Sequence, residues 1–225
     1  LIFFLSFTHR PKLAKDYKKI SNVYDYSKLG IIIQGGVGNS KFLIETIKIY
    51  GEKIFPGSKI IISTWSTESS NTLRKIKNLN LNVELITTKK PRNPGIGNIN
   101  LQILSTSKAA VWAKKNNIKH LMKTRTDQRI FATNTYQFLL SMLELFPSRS
   151  KKQKYRLIGI SLNTFRDRLY GISDMFMFGH TKDMLKYWTP DLDKRKKINN
   201  HEIKTQLQYL QLNQHHKGYH KHVQA

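Results

Sequence analysis

From Leu29 onward, short β-branched runs alternate with segments whose apolar residues recur at helical spacing. Leu29–Gln34 (LGIIIQ) is a continuous apolar run closed by Gly35-Gly36, the pattern of a strand buried on both faces. In Lys41–Lys53 and just beyond, Leu43, Thr46, Ile47, Tyr50 and Ile54 lay down one helical stripe, which Pro56-Gly57 breaks. Lys59–Thr64 (KIIIST) predicts a second strand, Ser66 or Thr67 caps a short helix reaching Lys77, and Asn82–Ile86 predicts a third strand. Thr87–Asn98, with Pro91, Pro94, Gly95 and Gly97, reads as a long loop. Leu101, Leu104, Lys108, Val111 and Trp112 then mark a helix to about Lys115. Ile118–Lys123 predicts a fourth strand, Thr135–Phe146 a further helix, and Arg156–Leu162 and Met175–Phe178 two more strands. Strands alternating with helices predict an α/β fold, a Rossmann-type, mostly parallel sheet flanked by helices, in a single domain over residues 29–188. Residues 1–28 form a basic, aromatic N-terminal extension without period, and 189–225 a basic polar tail, partly helical or disordered. The tail ends in His215, His216, His220 and His222, either adventitious metal ligands or a frayed end.

Charge changes the picture more than composition does. The chain carries 39 Lys+Arg against 14 Asp+Glu, a formal net charge of +25. Such a field attracts polyanions: nucleic acid, anionic lipid or phosphorylated substrates. Of the basic residues 29 are Lys and 10 are Arg, scattered along the chain, whereas base readout leans on Arg. No zinc-finger spacing and no aromatic RNA-binding signature occurs, so no nucleic-acid partner is expected. Cysteine is absent, which excludes disulfides and thiolate chemistry. The apolar run Leu1–Phe7 is too short to span a bilayer, which takes about 20 residues.

In open α/β sheets ligands bind beyond the carboxyl ends of the strands. Gln34-Gly35-Gly36, Thr64-Trp65, the Thr87–Asn98 loop and Arg125-Thr126-Asp127 would share that rim. Gly35–Lys41 (GGVGNSK) matches neither nucleotide motif. Asn39-Ser40 stands where a P-loop needs Lys-Ser, and Lys41 stands where a dinucleotide fingerprint needs its third Gly. Lys89–Gln102 (KKPRNPGIGNINLQ) clusters Asn98, Asn100 and Gln102 at a helix start. One of these amides can cap the helix; the others can meet sugar or ribose hydroxyls. In His120–Ile130 (HLMKTRTDQRI) a lone carboxylate, Asp127, stands among Lys123, Arg125 and Arg129, as a structural pair, a metal ligand or part of a phosphate site.

IIIQGG, ETIKIY, FPGSKIIISTW, KKPRNPGIGNINLQI, KTRTDQRI, ISLNTF and YGISDMFMFGH, in this order, resemble the WavE-type lipopolysaccharide synthesis proteins. Those are glycosyltransferases of bacterial surface-polysaccharide assembly, and the resemblance runs from Leu29 to Trp188. It implies a GT-A-like fold binding a nucleotide-sugar donor past the first and fourth strands. Gln34, Gly35, Gly36, Trp65, Asn98, Asn100, Gln102, Arg125 and Asp127 are the donor-binding candidates. Where GT-A enzymes carry Asp-x-Asp for a divalent metal, this chain has Arg125-Thr126-Asp127. Either Asp127 alone holds Mg²⁺ or Mn²⁺ with the pyrophosphate and water, or Arg125 supplies fixed charge and catalysis is metal-independent. Asp174 is the candidate base for the acceptor hydroxyl, or orients the acceptor while the donor reacts with retention, with Ser173, Arg166 and Arg168 as acceptor-binding candidates. His180 is a further metal candidate or a surface residue, and Asp183 belongs to the first turn of a helix Thr181–Tyr187. The expected partners are a nucleotide sugar and a lipid-linked saccharide, at the cytoplasmic, inner face of the bacterial inner membrane, held by anionic lipid. A nucleotide- or polyanion-binding protein without transfer chemistry is the alternative, suggested by the missing first carboxylate.

Overall fold

The computed structural model describes residues 25–161 and 172–194. One six-stranded sheet organises them, in the order β3-β2-β1-β4-β6-β5. Its strands are β1 (Leu29–Gln34), β2 (Lys59–Trp65), β3 (Val83–Thr88), β4 (His120–Arg125), β5 (Ile158–Gly159) and β6 (Met177–His180). The first four are parallel. The last two turn the sheet mixed, β6 running antiparallel to both β4 and β5. The expected α/β architecture, a mostly parallel sheet between helices in one domain, is what the chain adopts.

Both faces of the sheet are covered, which explains why β1 and β2 are apolar without alternation. On one face Ile31, Ile33, Ile60, Ile62, Met122 and Phe178 pack with Leu43 and Ile47 of α1 (Ser40–Ile49). Leu139 and Leu143 of α4 (Thr135–Leu145) join the same cluster, as does Ile76 of α2 (Ser70–Lys77). The opposite face sets Ile32, Ile61, Leu121 and Met177 against Ala109, Ala110 and Ala113 of α3 (Ile99–Lys115) and Met184 and Trp188 of α5 (Thr181–Trp188). The small residues of α3 let its backbone approach closely enough for Ser63 Oγ, in β2, to donate to Ser105 O at 2.8 Å.

Several boundaries differ from expectation for identifiable reasons. α1 ends at Ile49, and Tyr50–Ile54 form a wider π turn that closes with Phe55 N donating to Tyr50 O at 2.9 Å. β3 continues to Thr88 because Ser66 N, beyond β2, still donates to Thr88 O. Of the expected strand at Arg156–Leu162 only Ile158–Gly159 pairs. β4 starts later than its apolar run and ends later, at Arg125, which pairs with Gln34. The polar Lys-Thr-Arg end still forms strand because β1 satisfies its backbone there.

The segment leaving β4 is fastened to α1. Arg129 is almost fully covered; its Nε donates to Thr46 Oγ1 (2.9 Å) and its Nη2 to Phe42 O (3.0 Å) and Glu45 Oε2 (2.8 Å). Its guanidinium also lies 4.3 Å from the Phe42 ring centroid. Ile130 N adds a bond to the buried Tyr50 hydroxyl at 2.8 Å. At the other end of β4, His120 Nδ1 sits 2.9 Å from Tyr136 Oη, with its ring beside Phe178 and His180.

Replacing Arg129 by Lys keeps the charge but loses the planar fork and the ring contact. Urea denaturation should show a loss of about 2 kcal/mol, against less than about 1 kcal/mol for Glu45→Gln, whose ion pair is half in water. Equal losses would contradict this division. Burial holds His120 neutral, its pKa lowered from 6.5 to about 4. Between those values the unfolded chain binds a proton that the folded chain refuses. Stability is therefore full above pH 6.5 and falls as pH drops toward 4, by up to about 1.4 kcal/mol per pH unit. His120→Gln should flatten that slope in acid denaturation; an unchanged slope would assign it to other groups.

Candidate functional site

Beyond the carboxyl ends of β1, β2 and β4 opens a cleft of about 590 Å³. Gln34, Gly35 and Gly36 form one wall, Gly97, Asn98, Leu101 and Gln102 another, and Arg125, Thr126, Asp127 and Asp174 the floor and far side. The loop after β1 is built for tight passage. Gly35 has φ +128°, and a side chain there would stand 3.1 Å from Thr126 Oγ1, so both conformation and space call for glycine. Thr126 in turn donates from N to Gln34 O (3.1 Å) and from Oγ1 to Gly36 O (2.8 Å), binding the β1 and β4 loops together. Glu68, which the sequence reading passed over, completes the loop: its Oε1 accepts from Val37 N at 3.1 Å and Thr64 Oγ1 at 3.3 Å.

Two helix N-termini meet at this cleft. Gly38, Asn39 and Phe42, around the start of α1, line it, and Asn39 Oδ1 caps that helix through Phe42 N at 3.1 Å. α3 begins after Gly97 and Asn98, both left-handed (φ 62° and 63°), and Asn98 makes no cap, leaving its amide on the cleft. The positive ends of two helix dipoles at one cleft favour an anion. Gln102 also lines the cleft, its buried Oε1 without a hydrogen-bond partner. Asn100 does not: it is buried, its Nδ2 donates to Asn93 O (3.0 Å) and Asp193 O (2.7 Å), and its Oδ1 accepts from Asp193 N (2.7 Å). Of the three amides grouped by sequence, two reach the cleft and one ties α3 to the segment after α5. Trp65 lies on the cleft wall, with Lys90 Nζ 6.0 Å from its ring centroid.

Asp127 is not a lone acid. Arg125 grips it through a two-pronged contact, Nε to Oδ1 at 2.9 Å and Nη2 to Oδ2 at 2.8 Å. That bond holds the Asp127 carboxyl below its ordinary range and raises the Arg125 guanidinium above its own. Arg125 Nη1 remains free of this fork and stands 4.0 Å from Asp174 Oδ2. The same Oδ2 is 3.9 Å from Lys123 Nζ, and it has no hydrogen-bond partner. Lys123 is fully buried in β4; its ammonium also donates to the Asp174 backbone carbonyl and lies 5.1 Å from the Trp188 ring centroid. Burial pushes its pKa down to about 8, with Asp174 pulling the other way. Nothing in the sequence marked Lys123 except its place: a charge two residues before Arg125, hence on the same strand face.

The remaining expectations divide. Ser173 is buried beside Asp174, and Met175 N donates to its hydroxyl at 3.3 Å, so it shapes the turn and does not line the cleft. Arg166 and Arg168 lie outside the described residues, as do the tail histidines. His180, buried at 8% exposure, caps α5 through Lys182 N at 3.3 Å, at the end of the sheet away from the cleft. Asp183 does occupy the first turn of α5, and its carboxylate also accepts from Lys154 N and Tyr155 N at 3.0 Å each.

A divalent cation needs open carboxylate oxygens. Both oxygens of Asp127 are taken by Arg125, and the buried oxygen of Asp174 faces two cations. Among the described residues no group of three His, Asp or Glu is placed to hold a metal. The residues of this cleft therefore do not fit a metal held between Asp127 and Asp174; a guanidinium occupies that ground.

No curated protein matches the sequence. Among solved structures, a cytidylyltransferase from Leptospira borgpetersenii aligns at 14% identity and TM-score 0.43, over 83% of this chain and 72% of its own. The 4-diphosphocytidyl-2C-methyl-D-erythritol synthase of Anaerococcus prevotii aligns at 14% identity and TM-score 0.43, over 81% and 96%. A mannosyltransferase from Pyrobaculum calidifontis, solved with GDP-Man and Mn²⁺, aligns at 10% identity and TM-score 0.41, over 67% of this chain and 44% of its own. Against protein families the match is broad: it spans residues 29–224, running past Trp188 where the motif resemblance stopped. The chain belongs to the WavE lipopolysaccharide synthesis family.

Proposed function

We propose that the protein is a GT-A-like glycosyltransferase that moves a sugar from a nucleotide donor to a lipid-linked saccharide of lipopolysaccharide or capsule, at the inner face of the membrane. The observation that carries this reading is the shared cleft of Arg125 and Asp174, with two helix N-termini opening onto it. In transfer, the bond between the sugar C1 and the β-phosphate oxygen breaks while an acceptor oxygen bonds to C1. Negative charge grows on the departing diphosphate. The free Nη1 of Arg125 and the helix starts offer that charge fixed donors, needing no reorganisation at the moment of reaction. Asp127 orients the guanidinium plane, so it is a positioning residue. Asp174 takes the acceptor proton, and a base acting on the acceptor in one displacement inverts the configuration at C1. Asn98 and Gln102, which line the cleft, bind the ribose or sugar hydroxyls in this reading.

Release of nucleoside diphosphate from UDP-, GDP- and CMP-sugars (as CMP for the last), with a lipid-linked saccharide fraction as acceptor, measures this directly. Arg125→Ala should lower kcat by about 10²–10³-fold. Asp174→Asn should lower it by about 10²–10⁴-fold with little change in donor affinity. EDTA should leave the wild-type rate standing, since the charge comes from Arg125; a rate abolished by EDTA and restored by Mn²⁺ would return Asp127 to the role of metal ligand. Tight donor binding with no release under any condition would establish instead a nucleotide-binding protein without transfer chemistry.

A further inference from the structure

We propose that the outer face of α4, continued by the basic segment 147–156, is the surface on which the protein lies against an anionic lipid bilayer. α4 buries Tyr136, Leu139 and Leu143 against the sheet, and its other side should be polar. Beside the exposed Ser141 and Glu144 it carries large apolar side chains instead: Phe138 is 59% exposed, Leu145 71% and Phe146 53%, three of the five such side chains exposed among the described residues. Phe138 and Leu145 are seven positions apart, two helical turns, and so share one line along the helix.

Directly after this stripe come Arg149, Lys151, Lys152, Lys154 and Arg156, all exposed and without an acidic residue between them. They are not a loose run of charge. Arg156 Nε donates back to Pro147 O at 3.2 Å, folding the segment against the end of α4. Asp183 anchors its middle through Lys154 N and Tyr155 N. The segment is thus fixed, with Arg156 at the end of α4 that carries Leu145 and Phe146. Apolar side chains next to a fixed cluster of Lys and Arg match a bilayer surface, where acyl boundary and anionic head groups sit within a few ångströms. A nucleic-acid duplex would satisfy the cations and leave the apolar stripe in water. Among the described residues no helix is long and apolar enough to cross a membrane, so the contact is a lateral one. This inference does not depend on the transfer chemistry.

The test is sedimentation of the full chain with vesicles of phosphatidylcholine alone or mixed with phosphatidylglycerol. Wild type should bind only the mixed vesicles. Lys151→Gln with Lys152→Gln should weaken partition about thirtyfold. Phe138→Ser with Phe146→Ser should weaken it about tenfold or more and remove the part that survives high salt. Lys114→Gln with Lys115→Gln, the same charge change at the end of α3, should do little. Far-UV circular dichroism and thermal midpoints confirm that each variant is folded. Equal losses from the two lysine pairs would reduce the binding to diffuse charge and overturn the proposal. So would variants that lose binding to a DNA duplex while keeping vesicle binding.

Discussion

A lysine ammonium with no exposure, in the middle of a sheet, sets the conditions that the rest of this structure meets. Stripping a cation of water costs several kcal/mol unless partners replace it. Strand alternation puts Lys123 on the α3/α5 side of β4, between Leu121 and Arg125, where the neighbours are apolar. Its partners have to be brought from elsewhere: the carbonyl and carboxylate of Asp174 from the turn before β6, and the ring face of Trp188 from the end of α5. Antiparallel β6 is what makes this delivery possible, since its amino end lies at the carboxyl end of β4. One buried charge thus ties together the last strand, the last helix and the cleft.

The architecture was legible because burial on both faces leaves an unmistakable mark: LGIIIQ and KIIIST have no polar face to show. What escaped was set by groups far apart in the chain. The strand character of Thr124-Arg125, past the expected end at Lys123, comes from pairing with β1, and no local propensity announces it. Asn100 looked like a ligand-binding amide because its real partners, Asn93 and Asp193, are a loop residue before it and a residue beyond α5. Nothing local marks Glu68, whose carboxylate holds the glycine loop through Val37 N. His180 and Ser173 were visible as unusual, but only the register of β6 shows that one caps a helix and the other braces a turn.

The motif Arg125-Thr126-Asp127 gains sense from charge counting against the Asp-x-Asp pattern it resembles. Two carboxylates with a divalent cation are neutral overall; so is an arginine gripped by one aspartate. On the proposed reading a diphosphate meets Arg125 Nη1, the guanidinium nitrogen left outside the fork, where a metal would otherwise stand. The metal can be lost or exchanged, whereas the guanidinium is covalently part of β4 and aimed by its neighbour.

The antiparallel pairing of β6 with β4 has one more implication. Asp174 and Arg125 meet although neither lies near the other in sequence, and what aligns them is a short ladder in which Lys123 faces Met177 and Met122 faces Phe178. A slip of one residue would send Phe178 and Met177 to the wrong faces and carry Asp174 away from Lys123 and Arg125. Packing of the core and alignment of the cleft are therefore a single specification. Four residues of an inner strand thus hold both the fold and the site in place.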